Sequence, residues 1–227
     1  MIDGRRFGVG ALALVLFAPG ALAQGARYRT FELGANLASV VALTGVPATE
    51  AKTVHDRPAM MQDLEWKRPY TTDAAAAQDP VRQITFSFYS DQLFRLVIDY
   101  DRERTEGMND ADMVEAISAM YGPTIKPAVK TSRPGASIEE QSGTRVAGWG
   151  GAEYTAVLYR FSYASGFRMI VTSVRLAALA RAADARAVAL DERDAPQRER
   201  AREKKEADAA LALRQKARQA NKAAFIP

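Results

Sequence analysis

Residues 86–101 read FSFYSDQLFRLVIDYD, and this stretch decides the fold. Two runs of alternating apolar residues flank Ser90-Asp91-Gln92, which is typical of a β-hairpin with strands near 82–89 and 93–100. Because successive side chains of a strand point to opposite faces, one face is predicted to hold Ile84, Phe86, Phe88, Phe94, Leu96 and Ile98. Tyr89 and Arg95 are then expected on the other face.

The elements around this hairpin occur twice. The pattern Gly34-x-Asn36 opens a predicted helix, and Gly107-x-Asn109 opens another at an offset of 73 in the numbering. Phe86 and Tyr159 are related by the same offset, and a tryptophan precedes each hairpin, at Trp66 and Trp149, although the offset between those two is 83. Repeated order of this kind indicates an internal duplication. We therefore predict an α+β fold in which two copies of a helix followed by antiparallel strands, at about 30–104 and 105–174, place both helices on one face of the sheet.

From residue 175 the chain becomes rich in Ala, Arg and Glu, which are strong helix formers. Residues 175–227 hold 13 Lys/Arg against 8 Asp/Glu, whereas residues 24–174 have a net charge of about −2. No seam of large apolar residues lasts three heptads, which argues against a coiled coil. We predict a charged helical tail, outside a folded domain at 24–174, in which Asp194-Ala195-Pro196 can end one helix and start another.

The start of the chain, at 1–23, has the layout of a secretory signal peptide. Arg5 and Arg6 precede an apolar segment at 7–18, and Ala21-Leu22-Ala23 matches the small-residue pattern for cleavage before Gln24. The alternative is an uncleaved anchor, but the apolar segment is shorter than the roughly 20 residues that span a bilayer. A periplasmic or secreted location is therefore expected, with no membrane span in the mature chain. Because the chain has no cysteine, neither a disulfide nor a lipoprotein anchor is expected.

The helix starts carry a resemblance to a known family. A G-x-[TN]-x-x-x-V start, a glycine-terminated helix and an antiparallel sheet resemble the exported modules of the BamE (SmpA/OmlA) family. Two such modules in tandem look like the β-lactamase inhibitor protein fold. The residues that carry the resemblance, within about 30–174, are Gly34, Asn36, Val40, Val41, Gly45 and Pro47, then Gly107, Asn109, Met113, Val114, Gly122 and Pro123. It implies a non-catalytic, protein-binding periplasmic module.

The chain departs from these families in two respects. BamE is a lipoprotein, whereas this sequence has no cysteine, and the charged tail belongs to neither family. The chain is also similar to exported bacterial proteins, which implies no particular chemistry. A shared fold does not by itself establish a shared function.

Few residues are suited to catalysis or metal binding. His55 is the single histidine, so a histidine-based metal cluster is excluded, and no nucleophile motif surrounds it. Asp99, Asp101 and Glu103 alternate after the hairpin and would share one face of an extended strand, where they could bind calcium or act as acid and base. A solvated strand end is the favoured interpretation. We predict no catalytic residue, metal or cofactor, with a hydrolase using Asp99 and Asp101 as the minor alternative.

The polar sheet face is the better candidate site. It is expected to present Tyr89, Arg95, Arg160 and Arg168, residue types that are enriched in protein interfaces. A solvated face with pairs such as Arg95–Asp99 is the alternative. The sequence thus predicts a non-enzymatic binding or adaptor module for another envelope or secreted protein. A second hypothesis is an envelope scaffold whose basic tail contacts anionic lipid or cell-wall polymer. Nucleic acid is not expected, since the positive charge is confined to the tail of an exported chain.

Overall fold

A computed structural model describes residues 27–70, 78–125, 143–161, 166–224 and 226. The strands are β1 (Arg27–Tyr28), β2 (Phe31–Glu32), β3 (Lys52–His55), β4 (Met61–Lys67), β5 (Val81–Tyr89), β6 (Gln92–Tyr100), β7 (Thr144–Gly150), β8 (Tyr154–Arg160) and β9 (Phe167–Ser173). The helices are α1 (Leu37–Thr44), α2 (Asp110–Tyr121) and α3 (Val174–Ala224), and a 3₁₀ turn lies at Ala48–Glu50. The predicted cleavage site at Ala23 and Gln24 lies outside the described residues.

Seven of the described strands form one antiparallel sheet, in the order β3-β4-β5-β6-β9-β8-β7, beside the small β1–β2 pair. Each repeat supplies a helix and then a three-stranded meander, α1 with β4-β5-β6 and α2 with β7-β8-β9. The two meanders join through the β6–β9 pair at the centre of the sheet. The predicted α+β class, with two copies of helix and antiparallel strands and a long C-terminal helix, is confirmed.

The β5–β6 hairpin closes through a two-residue turn. Ser90 and Asp91 both have positive φ, at 46° and 61°, and Tyr89 lies opposite Gln92. Such turns match the right-handed twist of the strands, and Asp is one of the residues that tolerates this conformation. The Asp91 carboxylate also accepts a hydrogen bond from the backbone N–H of Leu37 at 2.9 Å, so the turn helps to cap α1.

A bulge in β6 changes the predicted faces. Ser87 lies opposite Arg95 but Phe88 lies opposite Leu93, so Phe94 is an extra residue on its strand. An extra residue turns the side chains that precede it to the other face. Leu93 therefore enters the core beneath the helices, and Phe94, which was predicted there, points to the opposite face.

Both repeats begin their helices in the same way. Asn36 accepts a hydrogen bond from the N–H of Ser39, and Asn109 accepts one from the N–H of Asp112, so both asparagines act as N-caps. Gly34 and Gly107 precede them with φ of 93° and 80°, a region that glycine adopts without strain. The second helix is longer, with 12 residues against 8. The predicted duplication of the helix starts is therefore seen in the backbone.

The strands follow the repeat, except that β5 and β8 are displaced by one residue relative to the other elements. In β6 and β9 the offset of 73 holds, since Val97 and Ile170 lie directly opposite each other. In β5 and β8 the offset is 72, because Thr85 pairs with Val97 and Val157 pairs with Ile170. Tyr159 is accordingly not the structural counterpart of Phe86. Phe86 is in the core beneath the helices, and Tyr159 is buried on the other face.

The main core lies between the sheet and the two short helices. Val40 of α1 and Met113 and Ile117 of α2 cover aliphatic and aromatic residues of the sheet. Those buried sheet residues include Leu64, Ile84, Phe86, Leu96, Ile98, Trp149, Leu158, Met169 and Val171. Met120, in the last turn of α2, is 50% exposed.

The tail is one helix that divides into two parts. Leu176, Ala180, Ala183 and Ala187 are buried at spacings of four and three residues, which lie on one side of a helix. From Ala195 to Ala224 every residue is exposed. Pro196 lies inside α3 and does not separate two helices, contrary to the prediction. We name residues 174–194 the docked segment and residues 195–224 the arm.

Candidate functional site: a basic helical arm

The sheet face opposite α1 and α2 carries most of the residues predicted to bind a partner. The docked segment covers one end of this face. Phe94 packs with Leu176 and Ala180, and Tyr89 lies partly buried against the same cluster. Tyr89 is therefore half-buried beneath the protein's own helix.

Two of the predicted arginines lie on this face and are held by neighbours within it. Arg168 donates from Nε to Asp99 Oδ1 at 2.6 Å and from one terminal nitrogen to Oδ2 at 3.1 Å, a paired geometry that suits guanidinium and carboxylate. Its guanidinium carbon also lies 4.8 Å from the centre of the Phe161 ring. Arg95 donates to the Ser87 hydroxyl at 3.2 Å. The anticipated Arg95–Asp99 pair is thus replaced by Arg168–Asp99.

Arg160 lies on the opposite face from the one predicted. It is directly opposite Phe167, whose ring is in the core beneath the helices, and directly opposed residues share a face. Its guanidinium lies 3.1 Å from Asp110 in the first turn of α2. The four residues of the predicted partner-binding face therefore do not form one surface.

The carboxylates considered for hydrolysis are each engaged by a different arginine. Asp99 is paired with Arg168, and Asp101 accepts a hydrogen bond from Arg68. Burial raises the pKa of Asp101, but the hydrogen bonds from Arg68 and from the N–H of Glu103 outweigh it and hold the pKa below its ordinary value. Asp101 and Glu103 follow the end of β6 and do not continue its face. Among the described residues no group of three acidic or histidine side chains is placed to hold a metal ion.

The glycines of β7 have a structural explanation. Gly150 has φ of 107°, and a Cβ at this position would collide with the carbonyl oxygen of Tyr154. Only glycine fits such a close approach of two strands without strain.

A shallow cleft of about 490 Å³ lies between β1 and α2, lined by Arg27, Arg29, Ala116, Ala119 and Met120. Arg29 is held by Asp79 through two hydrogen bonds of 2.7 and 2.8 Å. The Arg29 guanidinium lowers the pKa of Asp79, and burial only partly opposes this. The pair ties the β1–β2 turn to the start of β5, since Asp79 also accepts the N–H of Val81.

Polar contacts fix the far end of the docked segment to the β3–β4 connection. His55 Nε2 lies 2.9 Å from Asp184 Oδ1, and Arg57 donates to Asp194 at 2.7 Å. Asp191 is 3.4 Å from the same guanidinium. Since Asp191 and Asp194 continue the spacing of the buried stripe, they mark the last point at which α3 touches the part of the folded body that the structure describes.

Beyond this point the arm extends into solvent. As a helix it spans about 45 Å. The arm holds nine Lys/Arg against four Asp/Glu. Leu211 and Leu213 are its two large apolar residues, and at a separation of two they point to opposite sides. In the described part of the chain no helix is long and apolar enough to cross a membrane.

The charges are unevenly arranged along the arm. The proximal half, residues 195–208, has five cations and all four acids, and Arg202 contacts Glu199 at 2.6 Å and Glu206 at 3.7 Å. The distal half, residues 209–224, has four cations and no acid. The nearest acidic residue on the helix, Asp208, is about 9 Å of helix rise from Arg214, too far for an ion pair. The net charge of the arm is thus concentrated in its distal half.

The basic character of the tail is evident from the sequence, but its division into the docked segment and the arm was not predicted. The signal was present, because the spacing of Leu176, Ala180, Ala183 and Ala187 defines a stripe that ends before Pro196. The contacts of His55 and Arg57 with α3 had no sequence signal, since their partners lie far away in the chain, at Asp184 and Asp194.

Comparison with protein-family models, with curated proteins and with solved structures found no match to this chain. The candidate site therefore rests on its own geometry.

Proposed function

We propose that this protein is a non-enzymatic module of a bacterial cell envelope, exported to the periplasm or secreted, whose arm holds the folded body at an anionic envelope surface. The observation that carries the proposal is the arm itself. Thirty consecutive helical residues are exposed on every side and have a net charge of +5. Ordered helix in water without a packing partner is unusual, because most helical stability in proteins comes from packing an amphipathic face.

The composition of the arm favours electrostatic contact. A coiled-coil or groove-binding helix needs apolar anchors at positions i, i+3 or i+4 and i+7, and the two leucines of the arm, Leu211 and Leu213, do not have this spacing. A helix with many cations is instead attracted to surfaces of negative potential. The body does not share this charge, since residues 24–174 have a net charge of about −2.

Export is supported by the signal-peptide layout of residues 1–23, and a non-catalytic role by the resemblance of the tandem modules to the BamE family. Protein binding through the sheet face has less support. Arg168 is hydrogen-bonded to Asp99, Tyr89 lies against the docked segment, and Arg160 is on the other face.

The experiment compares the full chain with a version that ends at Asp194. Cells that produce each version are separated into an envelope fraction and a soluble fraction. The full chain is expected to remain with the envelope at about 0.05 M salt and to be released at about 0.5 M, because salt screens contacts between exposed charges. The shortened chain retains every buried residue of α3 and should be found in the soluble fraction at both concentrations. Equal retention of the two chains would contradict the proposal.

A further inference from the structure

Three of the four cations in the distal half of the arm lie on one side of the helix, and the fourth, Lys216, lies on the other side near Leu213. Leu211, Arg214, Arg218 and Lys222 are separated by three, four and four residues, so they lie on one side of the helix. Leu211 is 54% exposed, and Ile226, just beyond the helix, is 89% exposed. Cations and exposed aliphatic side chains therefore share one short segment at the end of the arm. We name Leu211, Arg214, Arg218 and Lys222 the distal stripe.

We propose that the distal stripe binds the surface of a lipid bilayer with anionic headgroups, lying parallel to it. This rests on the proposed function and names the surface that the arm recognises. Arginine and lysine suit this position, because their aliphatic stems contact the apolar boundary while their charged ends reach the headgroup phosphates. Leu211 can then insert between the headgroups.

Other anionic partners match the stripe less well. A soluble polyanion would use the cations alone and would gain nothing from Leu211 or Ile226. A protein partner would require a buried centre with aromatic or large apolar residues, and the arm has only Leu211 and Leu213, on opposite sides.

The proximal half does not suit the same contact. Its cations alternate with Glu199, Glu203, Glu206 and Asp208. Carboxylates on the same turns would be brought against a surface of their own sign and would offset the attraction of the neighbouring cations. The docked segment and the proximal half together then place the folded body away from the membrane, at a distance set by the helix.

The test measures partitioning of the chain from Gln24, which keeps every described residue and removes the apolar leader, onto vesicles of phosphatidylglycerol and phosphatidylcholine. Each cation near an anionic surface increases partitioning about fivefold. The triple variant Arg214→Gln, Arg218→Gln, Lys222→Gln is therefore expected to partition roughly 100-fold less. The matched variant Arg200→Gln, Lys204→Gln, Lys205→Gln removes the same charge from the proximal half and should lose no more than about fivefold.

A second matched pair of variants tests which side of the helix contacts the bilayer. Leu211→Ser should weaken partitioning, whereas Leu213→Ser, on the opposite side, should leave it unchanged. All four variants alter exposed residues, and circular dichroism would verify that the helix is retained. Vesicles of phosphatidylcholine alone should bind neither the parent chain nor the variants.

Equal losses from the proximal and distal triple variants would overturn the distal stripe as the contact. Capture by soluble polyphosphate without binding to anionic vesicles would overturn a lipid partner. In both cases retention of the full chain in the envelope fraction, with loss after truncation at Asp194, would still support the proposed function, so the two proposals fail separately.

Discussion

Val97 and Ile170 lie directly opposite each other across the β6–β9 pair, and their positions in the chain differ by 73. The same offset relates the N-cap residues Asn36 and Asn109. In an antiparallel pair, two repeats can be related by a twofold axis only where a residue faces its own counterpart. The pair Val97–Ile170 therefore marks a pseudo-twofold axis at the centre of the sheet.

The two tryptophans are also related by this pseudo-twofold axis, although their positions in the chain differ by 83. Trp66 lies opposite Ile84 in the first meander, and Trp149 lies opposite Ala156 in the second. Ile84 and Ala156 are themselves counterparts, since the offset that relates Thr85 to Val157 also relates these two. The longer offset of the tryptophans reflects unequal connections: β4 and β5 are joined by residues 68–80, and β7 and β8 by residues 151–153.

Two arginine–aspartate pairs of the sheet should differ sharply in their effect on stability. Arg168→Gln leaves the Asp99 carboxylate, which is 8% exposed, without its paired hydrogen bonds, and should cost about 2–3 kcal/mol of unfolding free energy. Arg160→Gln removes a pair whose side chains are 52% and 41% exposed, and should cost less than about 1 kcal/mol. Denaturant unfolding measures both. Similar values for the two variants would show that the Asp99 site is accessible to water.

Docking of α3 is tested by two leucines on the same helix. Leu176→Ala removes a side chain that is 3% exposed against Phe94, and should cost about 2–5 kcal/mol. Leu179→Ala alters a side chain that is 43% exposed, and should change stability by no more than about 0.5 kcal/mol. Thermal or denaturant melts measure the unfolding free energy of both variants. A large loss for Leu179→Ala would indicate a different packed side of the helix.

Loss of either N-cap asparagine should destabilise the fold. Asn36→Ala and Asn109→Ala should each cost about 1 kcal/mol, within the range of roughly 0.5–2 kcal/mol for the loss of a cap. The cost should be greater for Asn109, which accepts two backbone N–H groups and forms a reciprocal capping box with Asp112. Asn36 accepts one. The reverse order in equilibrium unfolding would mean that the extra bonds of the second cap contribute little.

Acid should destabilise the fold through Asp79 and Asp101, both of which have a lowered pKa in the folded protein. An unfolded aspartate has a pKa of about 3.9 and takes up its proton first as the pH falls. Their stabilisation is therefore complete above this pH and is lost as the pH falls through the lower folded pKa. Unfolding free energies measured between about pH 6 and 2.5 should show this loss.

The same pH series identifies the groups responsible. Asp79→Asn should be less stable at neutral pH and should show a smaller dependence on acid, because it lacks the carboxylate that Arg29 binds. Glu103→Gln, which alters an exposed side chain, serves as the control and should follow the parent protein. An unchanged acid profile in Asp79→Asn would assign the loss to other carboxylates.

Much of the fold follows from local pattern. Alternation in 86–101 determines the hairpin, Gly-x-Asn determines both helix starts, and alanine-rich composition determines the helical tail. These features depend on neighbours within a few residues, where backbone geometry and capping act directly. The predicted partner face does not form one surface, because a one-residue slip in β8 places Arg160 on the other side of the sheet. The extra residue at Phe94 adds an apolar side chain to the predicted face, where α3 packs beside Tyr89.

The sequence by itself determined the two repeats, the antiparallel meanders and the excess of positive charge after residue 175. Tertiary structure alone decided where the helix stops being part of the body. Composition cannot distinguish Ala187 from Ala201, yet the first is buried and the second exposed. The difference arises because the sheet, His55 and Arg57 extend only as far as Asp194, and a helix that continues beyond its last contact has only solvent around it.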